Sequence, residues 1–160
     1  MPKRVYGKNT IENLTTAMYS DSKIIFREYV QNSCDSIRDG IKNGIITQEE
    51  AKIHINISKE ARSISIIDNG VGIPRVNFER VLSDIANSDK VRGEGMGFRG
   101  IGRLCGLAYC TQMQFISTAY GETDICIMNW DAGTMKSMLD DNKKYTSDDV
   151  LDTIMCHAQI

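Results

Sequence analysis

The chain has 160 residues, 41% of them hydrophobic and 25% charged, with a formal net charge of −2. It is the size of one domain, able to bury roughly 68–70% of its unfolded surface without a covalent staple. The composition excludes disordered, collagenous and membrane-spanning classes and advertises no basic surface for nucleic acid.

The N-terminus lacks an apolar core of signal-peptide length, and no apolar run approaches the ~18 residues of a membrane span. Cys34, Cys105, Cys110, Cys126 and Cys156 form no CxxC pair and are odd in number. They predict reduced thiols, no structural zinc and a cytoplasmic protein.

Ile11, Leu14, Ala17 and Met18 recur at helical spacing, which predicts a first helix of roughly three turns. Asp21 or Ser22 can cap a second helix running to about Gly40 or Gly44, and Thr47–Glu50 reads as a capping box for a short third. The period then changes to two. Residues 52–58 and 62–68 alternate as two antiparallel strands, with Lys-Glu-Ala-Arg as their hairpin connection. Phe78, Val81, Leu82 and Ile85 return to helical spacing, and residues 87–100 lose all periodicity, as a mobile loop does. Residues 101–110 suggest a short helix, 111–118 and 123–130 two more strands, and the stretch from Ser147 a last helix that includes Met155. The order predicts one α+β domain over 1–160, a two-layer sandwich with helices on one face of a mostly antiparallel mixed sheet.

Three patches carry candidate chemistry. On the second helix, at about 100° per residue, Glu28, Asn32, Asp35 and Asp39 fall within roughly 60° of one another. Phe26, Val30, Ile37 and Ile41 lie on the far side, so a solvated polar face explains the pattern as well as a site does. Next, a strand ends in Asp68 and is followed by Gly70 and Gly72. Asp-Asn-Gly is ordinary turn chemistry, yet a turn needs one such glycine. A strand-end carboxylate beside bare backbone suits a flat heterocycle, with Asp68 accepting from an exocyclic amine and Ile73 offering apolar surface. Finally, six of the 13 glycines fall between positions 93 and 106. Gly97, Gly100 and Gly102 lead into a helix start and leave backbone N–H groups free for phosphate oxygens, with Arg99 and Arg103 adding positive charge.

Gly-Met-Gly-Phe-Arg-Gly at 95–100 matches the dinucleotide fingerprint letter for letter. It lacks the apolar strand that a nicotinamide dinucleotide site requires immediately upstream, so that reading stays remote. A P-loop lysine is absent as well.

Taken in order, E-x-x-x-N-x-x-D, D-x-G-x-G and G-x-x-G-x-G resemble the GHKL ATPase superfamily of gyrase-type topoisomerases, ninety-kilodalton heat-shock chaperones, sensor histidine kinases and MutL-type repair proteins. The resemblance spans about residues 10 to 130. It implies ATP or ADP with Mg2+ as ligands, Glu28 as the general base, and Asn32 as both nucleotide contact and magnesium ligand. It further implies Asp68 as the adenine-amine acceptor, helped by a water near Gly72, and Asp35 as a pocket-edge acid. The resemblance also implies that Ile73 lies against the base and that Gly97, Phe98, Arg99, Gly100, Ile101 and Gly102 are the phosphate-embracing end of a lid.

Glu28 points to the hydrolysing branch, and residues 84–90 and 97–104 look closest to the chaperone and MutL-like lids. Val81 departs from the asparagine that the chaperones tend to have there. A threonine-bearing late strand that backs the adenine in relatives has no evident counterpart. The resemblance also implies an N-terminal piece of a longer protein in which ATP drives lid closure and homodimerisation. The partner, protein or DNA, stays open, and an ATP-sensing or kinase-like module is the alternative.

Overall fold

A computed structural model of the protein describes residues 6–17, 21–84 and 102–160. Helix α1 spans only Asn9–Glu12 and continues as a π-helical turn, Asn13–Ala17. The predicted three-turn helix is therefore irregular. Thr15 is fully buried and its hydroxyl donates to the Ile11 carbonyl at 2.9 Å, a local bond that competes with regular α-helical pairing. Helix α2 runs over Ile24–Lys42, and the Asp21 carboxylate accepts from the Lys23 N–H at its start, 2.9 Å away. Gly44 ends it with φ +68°, its N–H bonding the Ile41 carbonyl at 3.1 Å.

Thr47 and Glu50 form their reciprocal bonds, at 2.8 and 3.3 Å, yet no helix follows. The next residues are claimed by the hairpin. Asn69 accepts from the Lys52 N–H at 2.8 Å and donates to the Glu50 carbonyl at 2.9 Å, which pulls the chain into an extended course. Strands β1 (Ile53–Ser58) and β2 (Ser63–Asp68) then pair antiparallel, Ile53 facing Asp68 and Ser58 facing Ser63.

Helix α3 (Arg75–Ser83) starts directly after Pro74. The helix predicted at 101–110 is a 3₁₀ helix, Gly102–Ala108. Strands β3 (Gln112–Ser117) and β4 (Cys126–Asp131) pair antiparallel as predicted. Helix α4 (Ala132–Asp140), which the sequence reading did not anticipate, leaves β4 without a loop. Asp131 makes that possible by capping it, accepting from the Thr134 N–H at 2.8 Å and the Thr134 hydroxyl at 2.9 Å. Helix α5 (Ser147–Ile154) opens on a complete capping box between Thr146 and Asp149. Met155, expected in that helix, instead begins strand β5 (Met155–Gln159), which pairs antiparallel with β4.

The fold is α+β as expected, and the strands among the described residues pair antiparallel, β1 with β2 and β3 with β4 with β5. The core gathers on the second group. Trp130, Phe78, Leu104 and Leu107 are fully buried together with Met135 of α4 and Val150 of α5. Phe115 meets the Trp130 ring edge-on at 5.3 Å between centroids. No helix among the described residues is long and apolar enough to cross a membrane.

Candidate functional site

Helix α2 is the platform of the site, and two glycine contacts dock other segments onto it. A β-carbon at position 70 would lie 2.2 Å from Ser36 Oγ and 2.6 Å from the Ser36 carbonyl carbon. Only glycine lets the turn after Asp68 rest on the helix at that distance. The Val71 N–H adds a bond to the Ser36 carbonyl at 3.3 Å. At the other end, a β-carbon at position 102 would lie 2.2 Å from Glu28 Oε2. Glu28 and Ser36 are eight residues apart, about 12 Å along a helix that rises 1.5 Å per residue. Asn32 stands midway between them.

The turn is held from its far side too. Gly72 has φ +70°, and a β-carbon there would lie 2.2 Å from the Thr118 carbonyl oxygen, so both conformation and space require glycine. The Ser117 hydroxyl accepts from the Ile73 N–H at 2.8 Å, and the Tyr120 N–H donates to the Val71 carbonyl at 3.0 Å. The end of β3 thus buttresses the D-x-G-x-G turn. Ser117 and Thr118 were not singled out from the sequence; the signal lay in a β-strand ending in two hydroxyl residues.

Asp68 is exposed, and its Oδ1 accepts from the Gly70 N–H at 3.0 Å, which leaves Oδ2 for a ligand. The Glu28 side chain is 17% exposed, with Arg27 Nε 4.0 Å from its carboxylate. Asn32 is exposed, and no side chain among the described residues is bonded to its carboxamide. A neutral amide oxygen on an open helix face is a hard donor of the kind Mg2+ takes alongside phosphate and water oxygens. Asp35 is buried at 5% exposure and pairs with Arg38 Nη1 at 3.1 Å, so it sits under the helix surface rather than in the row of Glu28 and Asn32.

Arg103, expected to face an anion, turns away. Its guanidinium donates to the carbonyls of Val81 and Asp84 at the end of α3. Gly97, Phe98, Arg99, Gly100 and Ile101 lie outside the described residues.

Below the site, Tyr29 is half-buried, and burial drives its hydroxyl pKa well above the usual phenol range. Burial likewise pushes the Cys105 thiol up to about 11, with the Glu28 charge adding to the shift. Both stay neutral at physiological pH. A cavity of about 310 Å³ opens beside the turn, with Gly72 and Val71 on one wall, Ala119 and Tyr120 on another, and Asp39 of α2 and Asn43 just beyond its end at the edge.

A bare-backbone turn and a glycine contact set two helical turns apart on one acid- and amide-bearing helix describe a nucleotide-binding α+β domain. The chain belongs to the family described as histidine kinase-, DNA gyrase B-, and HSP90-like ATPase, which matches residues 19–155. Among individual proteins it is similar to the chaperone protein HtpG of Ruthia magnifica subsp. Calyptogena magnifica, 37% identical over 79 residues covering 45% of this chain and 13% of that protein. The HtpG of Hydrogenovibrio crunogenus is 36% identical over 78 residues, 45% of this chain and 12% of the chaperone. The HtpG of Streptomyces coelicolor is 22% identical over 143 residues, 76% of this chain and 22% of the chaperone. The matches thus take in between 12% and 22% of those chaperones' length.

Proposed function

We propose that this domain binds ATP in the presence of Mg2+ and hydrolyses it slowly, with nucleotide-dependent closure acting as a conformational switch. The observation that carries the reading is the docking of both the Asp68–Ile73 turn and Gly102 onto one face of α2, with Asn32 between them. In this reading the adenine amine donates to Asp68 Oδ2, a water beside Gly72 bridges to the ring, and Ile73 covers its face. The phosphates extend along α2 toward Glu28, where backbone N–H groups of Gly97, Gly100 and Gly102, with Phe98, Arg99 and Ile101 between them, close around the terminal phosphate. Asp35 supports the helix face through its pair with Arg38.

Asn32 is the residue that would hold Mg2+, sharing it with phosphate and water oxygens; the ion supplies neutralisation of charge building on the phosphates. Glu28 takes a proton from the attacking water as that water approaches the γ-phosphate. By analogy with the longer chaperone relatives, closure over the nucleotide promotes homodimerisation in a longer protein, and a partner, protein or DNA, responds to it.

The test pairs binding with turnover. A fluorescent ATP analogue should titrate the protein only when Mg2+ is present, and Glu28→Ala should retain that affinity while losing phosphate release. Unchanged phosphate release in Glu28→Ala removes Glu28 from the mechanism and leaves an ATP sensor. No saturable nucleotide binding in the native protein would sink the whole reading.

A further inference from the structure

Glu28 touches Gly102, and the next residue, Arg103, has no part in the nucleotide contacts above. Its side chain runs to α3, where Nη1 donates to the Val81 carbonyl and Nη2 to the Asp84 carbonyl. Carbonyls in the last turn of a helix have no intrahelical partner. A guanidinium is the side chain whose rigid fork serves two of them at once, with its charge at the favourable end of the helix dipole.

The backbone of Arg103 is held separately. Its carbonyl accepts from the Tyr29 hydroxyl at 2.9 Å, and that same hydroxyl accepts from the Gly106 N–H at 3.2 Å and lies 3.1 Å from Met113 Sδ. A β-carbon at position 106 would come within 2.6 Å of the Tyr29 hydroxyl, so this junction too has no room for a side chain, though it is looser than the 2.2 Å contact at Gly102. Tyr29 directly follows Glu28 on α2. Arg103 is therefore gripped through its main chain by α2 and through its side chain by α3, and Gly102 stands one residue from both grips.

We propose that Arg103 is a positioning residue for Glu28: by tying the start of the 3₁₀ helix to the end of α3, it fixes where Gly102 meets the Glu28 carboxylate and hence how that carboxylate faces the attacking water. The inference rests on the reading of Glu28 as general base. With glycine at 102 the contact runs from backbone to carboxylate with no side chain to absorb a shift. A displacement of about 1 Å in such a contact can cost on the order of a hundredfold in rate.

The experiment combines a resonance cycle with kinetics on the full chain. In protein labelled with 15N-glycine, Glu28→Gln should move the Gly102 amide resonance in the native background. In an Arg103→Met background, which keeps the apolar stem but removes both donors, the same substitution should move it no more than it moves Gly121, which has nothing within 4 Å of its missing β-carbon. An equal response of Gly102 in both backgrounds overturns the proposal.

In turnover, Arg103→Met should lower kcat about tenfold or more with the ATP KM changed less than about threefold, and Arg103→Lys should recover part of the loss. Parallel loss of kcat and nucleotide affinity, or no recovery with lysine, also overturns it. Should Arg103→Met fail to fold, Arg103→Lys and Tyr29→Phe must both lower kcat selectively, and wild-type kcat in both rejects the idea. If the native protein releases no phosphate, the hydrolysis reading fails by itself, and the Gly102 resonance cycle still decides the positioning.

Discussion

The β1–β2 hairpin and the β3–β4 pair are each built from two six-residue antiparallel strands, and the molecule treats them in opposite ways. In β4, alternate residues Cys126, Met128 and Trp130 are at most 2% exposed, covered by helices whose side chains complete the core. In the hairpin Ile55, Ile57 and Ile64 share one face by the same alternation, and they are 45%, 63% and 46% exposed. A period of two tells which residues share a face; it does not tell whether anything lies on that face. The hairpin takes its position instead from backbone contacts at its base, Gly70 on Ser36 and Gly72 on Thr118. One half is stabilised by burial, the other by a joint, and the joint is where the candidate site lies.

The largest effect that separates the two halves belongs to the core. Trp130→Ala should lower unfolding free energy in urea by about 3–5 kcal/mol, while Ile57→Ser should stay within about 0.5 kcal/mol. Comparable losses would mean that the hairpin is buried in solution after all. Next comes the joint itself. Gly70→Ala forces a methyl group into Ser36 and should destabilise by about 1–3 kcal/mol. Native-state hydrogen exchange should then quicken for β2 amides and leave β4 amides unchanged; uniform acceleration would erase the distinction between joint and core.

Asp68→Asn replaces one carboxylate oxygen by an amino group. A lost charged hydrogen bond of about 1.5 kcal/mol corresponds to roughly tenfold weaker ADP binding, measurable by calorimetry, with folding unaffected. Unaltered ADP affinity in that variant would move the adenine contact elsewhere.

The smallest effect concerns the core half in acid. Thr146→Ala should cost about 1 kcal/mol by removing a helix cap. The Thr146 backbone N–H, and then its hydroxyl, hold the Asp149 carboxyl below its ordinary 3.8. A carboxyl whose folded pKa lies below its unfolded one stabilises the protein above the unfolded value and loses that contribution as pH falls through the folded value. Stability measured from pH 6 downward should therefore decline below about pH 4, and the decline should be shallower in Thr146→Ala. An identical acid limb in both proteins would detach Asp149 from it.

Much of this arrangement could be read from residue order. The hairpin, α2 with its Gly44 stop, and the row containing Glu28 and Asn32 follow from local spacing, and so does the D-x-G-x-G turn. Helix α4 was missed because it begins where β4 stops, with Asp131 serving as both strand end and cap, so no loop composition marks the boundary. Strand β5 was missed because Met155–Gln159 carries no β-branched residue and becomes a strand only through its pairing with β4. Asp35 shares the polar arc of α2 in projection, and its i,i+3 pairing with Arg38 suits that arc, yet it is buried, which a helical wheel cannot register. Arg103 was read only as positive charge beside the glycines, because sequence shows its charge and not the direction of its side chain.

The Ser36–Gly70 contact has a consequence for inheritance. Helix and turn meet there with the second smallest side chain on one surface and none on the other, so the two positions are not free to drift separately. A descendant that acquires a valine or leucine at position 36 would lift the hairpin base off the helix and carry Asp68 away from Asn32. Such a change can persist only in company with a compensating retreat of the backbone around position 70, and the pair will vary as a couple.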